Sequence, residues 1–298
     1  MNYRLISVII LSAIVSFNSC KHSKTDKVEI LSVTIEPQKY FLSAIAGNHY
    51  EVNCIAPSGS NPENADFTPF QMMALDKSAA YFKIGYLGIE NTLIDKVAKS
   101  NPALKIVDCS RGIKLTGDVH ACCDSDNRHY AHTYVHAGGD PHTWSSVKSA
   151  RIIVENMYNA LLELDMKNEA DYTANYNRLI CSINGVDSII KSYLDKAPCK
   201  SFIIYHPALG YFADEYGLTQ YSIEYEGKNP SPSQLRELID RAKAEGIKIV
   251  FIQQEFDTRN AETIAEAIGG QTVSINLLSY NWDREMIKIA KALALENQ

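Results

Sequence analysis

The sequence predicts an α/β protein of two similar lobes with mainly parallel sheets, joined by one long rigid helix. Three observations lead there. Strand-like runs alternate with amphipathic helical patterns from Val28 to about Ser110; a polar, histidine-rich stretch and two successive helical patterns, the second very long, then interrupt them; and the alternation restarts at Ser201 and continues to the C-terminus. Alternation of this kind argues for parallel strands whose crossovers return through helices.

The first half begins with "VEILSVTI", a β-branched run that reads as a strand. Pro37 opens a helical pattern through Tyr40, Phe41, Ala44 and Ile45, closed by Gly47. "YEVNCIAP" is a second strand, followed by the turn-rich loop "PSGSNPENADFTP". The helix "PFQMMALDKS" leads to the strand "AYFKIG", and a helix carrying Ile89, Leu93, Ile94 and Val97 leads to the strand "LKIVDCS". The segment 113–141 then breaks the pattern; a loop of that length inside a compact domain usually has a function or is disordered.

After His142, apolar residues recur at Ile153, Met157, Ala160, Leu161 and Leu164, a helical period. A longer pattern follows, with Tyr172, Tyr176, Leu179, Ile183, Val186, Ile190 and Leu194 on one stripe. It predicts a helix about 40 Å long, enough for a stiff strut between lobes. Beyond it come the strand "SFIIYH", the helix "PALGYFADEYG", the strand "TQYSIEYEG" and the helix "SPSQLRELIDRAKAEG", with Ser-Pro at its start and Gly at its end. The strand "IKIVFIQ", the helix "NAETIAEAIGG", the strand "QTVSIN" and the helix "REMIKIAKALALEN" complete the chain. The domain reading is therefore an N-terminal lobe at 28–164, a linking helix at 165–197 and a C-terminal lobe at 198–298, with no sequence repeat between the lobes.

The formal charge of −6 comes without a basic stripe, which excludes nucleic acid as a partner and suits a cationic ligand. "MNYRLISVIILSAIVSFNSC" has one early Arg and an apolar run too short to cross a bilayer, so residues 1–19 read as an export signal. Cys20, after Asn18-Ser19, resembles the cysteine of a bacterial lipobox. That resemblance implies cleavage before Cys20, a lipid on its thiol and a polar tether over 20–27; ordinary signal cleavage is the alternative. Six cysteines remain, an even number for an exported chain. Cys181 and Cys199 flank the end of the long helical pattern and form the candidate disulfide.

Ligands of open α/β sheets bind beyond the carboxyl ends of the strands. His206 ends "FIIYH", His142 ends the long loop, Glu63 lies after "EVNCIAP", and Glu255 and Asn276 follow the strands "IVFIQ" and "TVSI". Imidazole with carboxylate suits Zn²⁺; Mn²⁺ also accepts this set, preferring more oxygen. A zinc hydrolase would share an open ligand set, but no His-Glu-x-x-His or comparable general base is present.

These residues carry a family resemblance. "ILSVTIEPQKYFLSAIAGNHYEV", "GGDPHTWSS", "YHPALGYFADEYGL" and "NPSPSQLRELIDRAKAEGIKIVFIQQEF" resemble segments of the periplasmic zinc/manganese substrate-binding proteins of ABC transporters, the zinc-uptake branch in particular. The resemblance implies two α/β lobes on one long helix, a site between them, limited hinge opening, delivery of the ion to a membrane permease, and a monomer in the periplasm. It implies His142 and His206 as metal ligands. It departs at two places: Glu63 stands where the family has a histidine, with Asp66 the competing carboxylate, and Asn276 stands where the family has an acid. The last position is then Glu255, Asn276 or water. His120, Cys122, Cys123, His129, His132 and His136 resemble the family's His-rich loop, which implies a role in collecting metal. The rival readings are the same fold carrying Mn²⁺ or Fe²⁺, and a structural or adhesin lipoprotein that binds metal weakly.

Overall fold

A computed structural model describes residues 28–56, 59–63, 68–115, 139–224, 228–256 and 258–295. The export signal, Cys20 and its tether, Asp66 and the six histidines and cysteines from His120 to His136 lie outside the described residues.

The N-terminal lobe runs β1 (Glu29–Val33), α1 (Glu36–Ala46), β2 (Tyr50–Cys54), α2 (Pro69–Asp76), β3 (Ala80–Lys83), α3 (Gly88–Ser100) and β4 (Lys105–Asp108). A 3₁₀ turn at Thr143–Ser145 then opens α4 (Val147–Leu164), and a second at Met166–Asn168 opens α5 (Glu169–Leu194). The C-terminal lobe follows as β5 (Ser201–Ile204), α6 (Gly210–Tyr216), β6 (Thr219–Ser222), α7 (Pro232–Glu245), β7 (Ile249–Gln253), α8 (Arg259–Ile268), β8 (Gln271–Ile275) and α9 (Trp282–Leu293). Both sheets are entirely parallel, in the orders β2-β1-β3-β4 and β6-β5-β7-β8. Each lobe thus places its second strand outside its first, the same topology twice. Among the described residues no helix is long and apolar enough to cross a membrane.

Local chemistry sets the helix starts. Thr68 and Ser231 each accept from the backbone N–H three residues on, Gln71 and Gln234 answer with their amides, and a proline occupies the first helical position; such reciprocal caps satisfy donors that a helix leaves open. α6 is shorter than its sequence pattern. Pro207, Ala208 and Leu209 form a tight bend instead, in which the Ala208 N–H bonds the His206 carbonyl (2.7 Å) and the Leu209 N–H bonds Gln220 Oε1 (2.8 Å). These bonds commit the backbone of 207–209 to the bend, so the helix starts only at Gly210.

α5 buries Tyr172, Leu179, Ile183, Val186, Ile190 and Leu194 and packs on α1 and α4 of one lobe and α9 of the other. The largest core runs without a break through both lobes, from Phe41 and Phe82 through Trp144, Tyr172 and Ile190 to Phe202, Phe251 and Trp282. Hydrogen bonds pin the same seam. The Trp144 indole donates to the Leu277 carbonyl (2.9 Å), and the Trp282 indole donates to the Trp144 carbonyl (2.7 Å). Glu215 of α6 takes the Lys148 N–H on both carboxylate oxygens, each at 3.0 Å, where the N-terminus of α4 favours negative charge.

The expected Cys181–Cys199 disulfide is corrected by the structure. The four described cysteines, Cys54, Cys109, Cys181 and Cys199, are all free thiols. Cys181 lies in mid-α5, with roughly 20 Å of helix between it and the helix end, whereas a disulfide needs Cα atoms within about 7 Å. Cys199 instead bonds the Glu245 carbonyl (3.5 Å).

Candidate metal centre

Two of the candidate ligands are presented by the same local device. In Asn61-Pro62-Glu63, the Glu63 N–H bonds Asn61 Oδ1 (2.9 Å); in Asp140-Pro141-His142, the His142 N–H bonds Asp140 Oδ1 (2.9 Å). Each is an Asx turn closed over a proline, which fixes the residue that follows. His142 is further bent by a Thr143 N–H bond to the Pro141 carbonyl (2.8 Å). His206 follows the end of β5, and the neighbouring β7 holds its backbone. Gln253 donates to the His206 carbonyl (2.6 Å) and accepts from the His206 N–H (3.2 Å).

These turns bring Glu63, His142 and His206 together, with one donor atom from each, all within 4.8 Å of one another. His142 Nε2 and His206 Nε2 are 3.3 Å apart, and Glu63 Oε1 lies 3.4 Å from the first and 3.6 Å from the second. Both histidines are buried. Behind them, His142 Nδ1 meets Asp140 Oδ1 (2.7 Å) and His206 Nδ1 meets Glu224 Oε2 (3.0 Å). An ionised carboxylate only accepts, so each Nδ1 donates and each Nε2 is turned to the centre, the orientation that a metal-binding imidazole requires. Burial pulls the His206 imidazole down, but its hydrogen bond to Glu224 and the proximity of Glu63 outweigh that and push it up to about 9. Without an ion, His206 therefore carries a proton at neutral pH, and a metal must displace it.

The edges of this triangle suit a small tetrahedral ion. A tetrahedral ion with bonds of about 2.1 Å has ligand–ligand edges of about 3.4 Å, and the same bonds in an octahedron give about 3.0 Å. The three observed edges, 3.3, 3.4 and 3.6 Å, match one face of a tetrahedron.

Two further residues were expected as ligands. Glu255 lines the adjoining cavity with Trp144, Phe256 and Leu277 but stands outside the cluster. Asn276 sits in an Asx turn of its own, its Oδ1 accepting from the Leu278 N–H (3.0 Å) and its backbone N–H donating to Glu285 (3.0 Å). Sequence reasoning missed Asn61, Asp140, Glu224 and Gln253. The repeated Asx-Pro-ligand pattern would have revealed the first two. Glu224 and Gln253 reach His206 from neighbouring strands, and nothing local in the sequence announces them.

A family model described as "Zinc-uptake complex component A periplasmic", ZnuA, matches residues 32–287. The high-affinity zinc uptake system protein ZnuA of Bacillus subtilis is 28% identical over 262 residues, 86% of this chain and 80% of its own length. The zinc-binding protein AdcA of Streptococcus pyogenes is 26% identical over 273 residues; the match takes in 87% of this chain and 52% of AdcA, so the chain spans about half of that relative. Among solved structures, a crystal structure of ZnuA superposes with a TM-score of 0.81 at 30% identity, covering 91% of this chain and all (100%) of that one. A zinc-bound ZnuA lacking residues 138–173 of its own numbering superposes with a TM-score of 0.79 at 30% identity, covering 90% of this chain and 97% of that one. With the family model spanning most of the sequence, this chain belongs to the ZnuA family of periplasmic zinc-uptake components.

Proposed function

We propose that this protein captures Zn²⁺ between its lobes in the periplasm and hands it to an ABC permease for uptake. The observation that carries the reading is the triangle of two imidazole nitrogens and one carboxylate oxygen with edges near those of a zinc tetrahedron. Glu63, His142 and His206 are the ligands, and Asp140 and Glu224 hold the imidazoles. Mn²⁺ is the lesser cargo, because it prefers more oxygen donors than this set supplies. The names of the relatives, a zinc uptake protein and a zinc-binding protein, support the same reading. The core that runs through both lobes favours release by movement of the loops bearing the ligands over opening of a hinge. In this reading the histidines and cysteines from His120 to His136 collect zinc for the site, the Cys20 lipid tethers a monomer to the envelope membrane, and no covalent chemistry is performed. A mature chain whose mass lacks a lipid would remove the tether from this account.

Zinc titration against a chelator of known affinity tests the site. One tight zinc per chain is expected. His142→Ala and Glu63→Ala should each weaken it by about 100-fold or more, and Glu224→Gln, which keeps the shape but not the charge behind His206, by about 10- to 100-fold. Tight zinc retained by both His142→Ala and Glu63→Ala would rule this centre out.

A further inference from the structure

Three donors leave a tetrahedral ion one position short, and the groups around the cavity narrow what completes it. Asn61 Oδ1 is engaged by the Glu63 N–H, Asp140 Oδ1 by the backbone N–H and the ring Nδ1 of His142, and Gln253 at both ends by the His206 backbone. Asn276 Oδ1 is engaged by Leu278, and Glu224 lies behind His206 on its Nδ1 side. Glu255 differs from all of these. It lines the cavity beside His142 and His206, and among the described residues no hydrogen bond or ion pair engages its side chain.

We propose that Glu255 is the fourth ligand, swinging into the cluster when the ion arrives; the proposal rests on the zinc site formed by Glu63, His142 and His206. Gln253 and Phe256, on either side of it along the turn, hold it in place for that. Gln253 is tied to the backbone of His206. Phe256 stacks on the His206 ring with centroids 5.1 Å apart and planes at 15°, and on Tyr205 at 5.2 Å and 27°. The turn is closed by the Phe256 N–H on the Gln253 carbonyl (3.2 Å). Residue 255 is therefore carried next to a ring that stacks on an imidazole of the centre. In this proposal rotation about its side-chain bonds brings the carboxylate to the ion while the turn keeps its place. The driving force is electrostatic. The cavity wall includes Trp144, Ala208, Leu277 and Leu278, and in such surroundings a carboxylate attracts a dication several times more strongly than in water. Phe256, pressed on the face of His206, makes this turn the roof of the site as well as the source of its last donor.

Cobalt(II) in place of zinc tests the assignment, because its visible bands report coordination number and ligand exchange. In the parent chain, four protein ligands should give intense tetrahedral bands that do not change on adding azide. Glu255→Gln should still bind Co²⁺, show azide-dependent bands from an exchangeable fourth position, and hold zinc at least about tenfold more weakly. Parent bands that shift with azide as those of Glu255→Gln do would overturn the fourth-ligand assignment while leaving the three-ligand site standing. Failure of the parent to bind Co²⁺ or Zn²⁺ at all would overturn the site itself, and the assignment with it.

Discussion

Zinc affinity is expected to fall about tenfold for each pH unit as pH drops from about 9 towards 6.5, and zinc binding near neutral pH should release about one proton from the centre. The cause is the competition for His206 Nε2. Glu224 and Glu63 overcome the effect of burial and hold the imidazole's pKa at about 9, and the metal must remove that proton to bind. Above about pH 9 the dependence should flatten. The metal-free protein should respond in the opposite sense. His206 has a folded-state pKa raised above its ordinary 6.5, so its contribution to stability, up to about 3 kcal/mol, is complete below pH 6.5 and is lost as pH rises through about 9. Loaded and empty chains thus diverge in alkali, one binding its ion more tightly while the other becomes less stable. Calorimetry in buffers of different ionisation enthalpy counts the released proton, and denaturation of the empty chain at pH 6, 8 and 10 reads the second effect. An affinity that stays flat from pH 6.5 to 9 would mean that His206 is already neutral before zinc arrives.

That proton was not foreseeable from the sequence, although much of the centre was. His206, His142 and Glu63 were legible because they end a strand, end the long loop or follow a strand, where ligands of such sheets collect, and because the segments bearing the two histidines carry the family resemblance. The strands and the α5 stripe were legible because a period of two or of 3.6 survives in a list of letters. What escaped depends on pairing between segments. The orientation of His206 is set by Glu224 beyond β6 and by Gln253 on β7, both beside β5 in the sheet and remote in the chain. The turn at Asn276 escaped for a related reason: after β8 its short amide accepts the N–H two residues on. Cys181 and Cys199 looked close because the pattern between them is short in residues, yet a helix turns residues into length. The identical strand order of the two lobes was invisible for want of any sequence repeat.

Trp144→Ala is expected to cost about 3–5 kcal/mol of folding stability and to weaken zinc binding as well, although Trp144 contributes no donor atom to the centre. The side chain is 2% exposed and lies where the two lobes share one core. Its removal empties the volume of an indole there and leaves the Leu277 carbonyl without the indole N–H that it accepts. The Trp144 backbone carbonyl, which holds Trp282, is retained, so the seam is weakened rather than dismantled. The effect on zinc follows from the packing of the Trp144 ring against His142, centroids 5.3 Å apart; without it the imidazole regains freedom that the Asp140 turn and the contacts with His206 and Glu63 oppose in part. Trp144→Phe separates the two contributions, since it keeps an aromatic wall for His142 and loses the hydrogen bond to Leu277. It should recover most of the zinc affinity while remaining less stable than the parent. Urea denaturation of the zinc-free chains reads stability, and the chelator titration reads affinity. Because the core does not divide at the lobe boundary, the parent should unfold in a single transition. Two well-separated transitions would show that the lobes are independent, and would reopen hinge motion as the route by which the ion leaves.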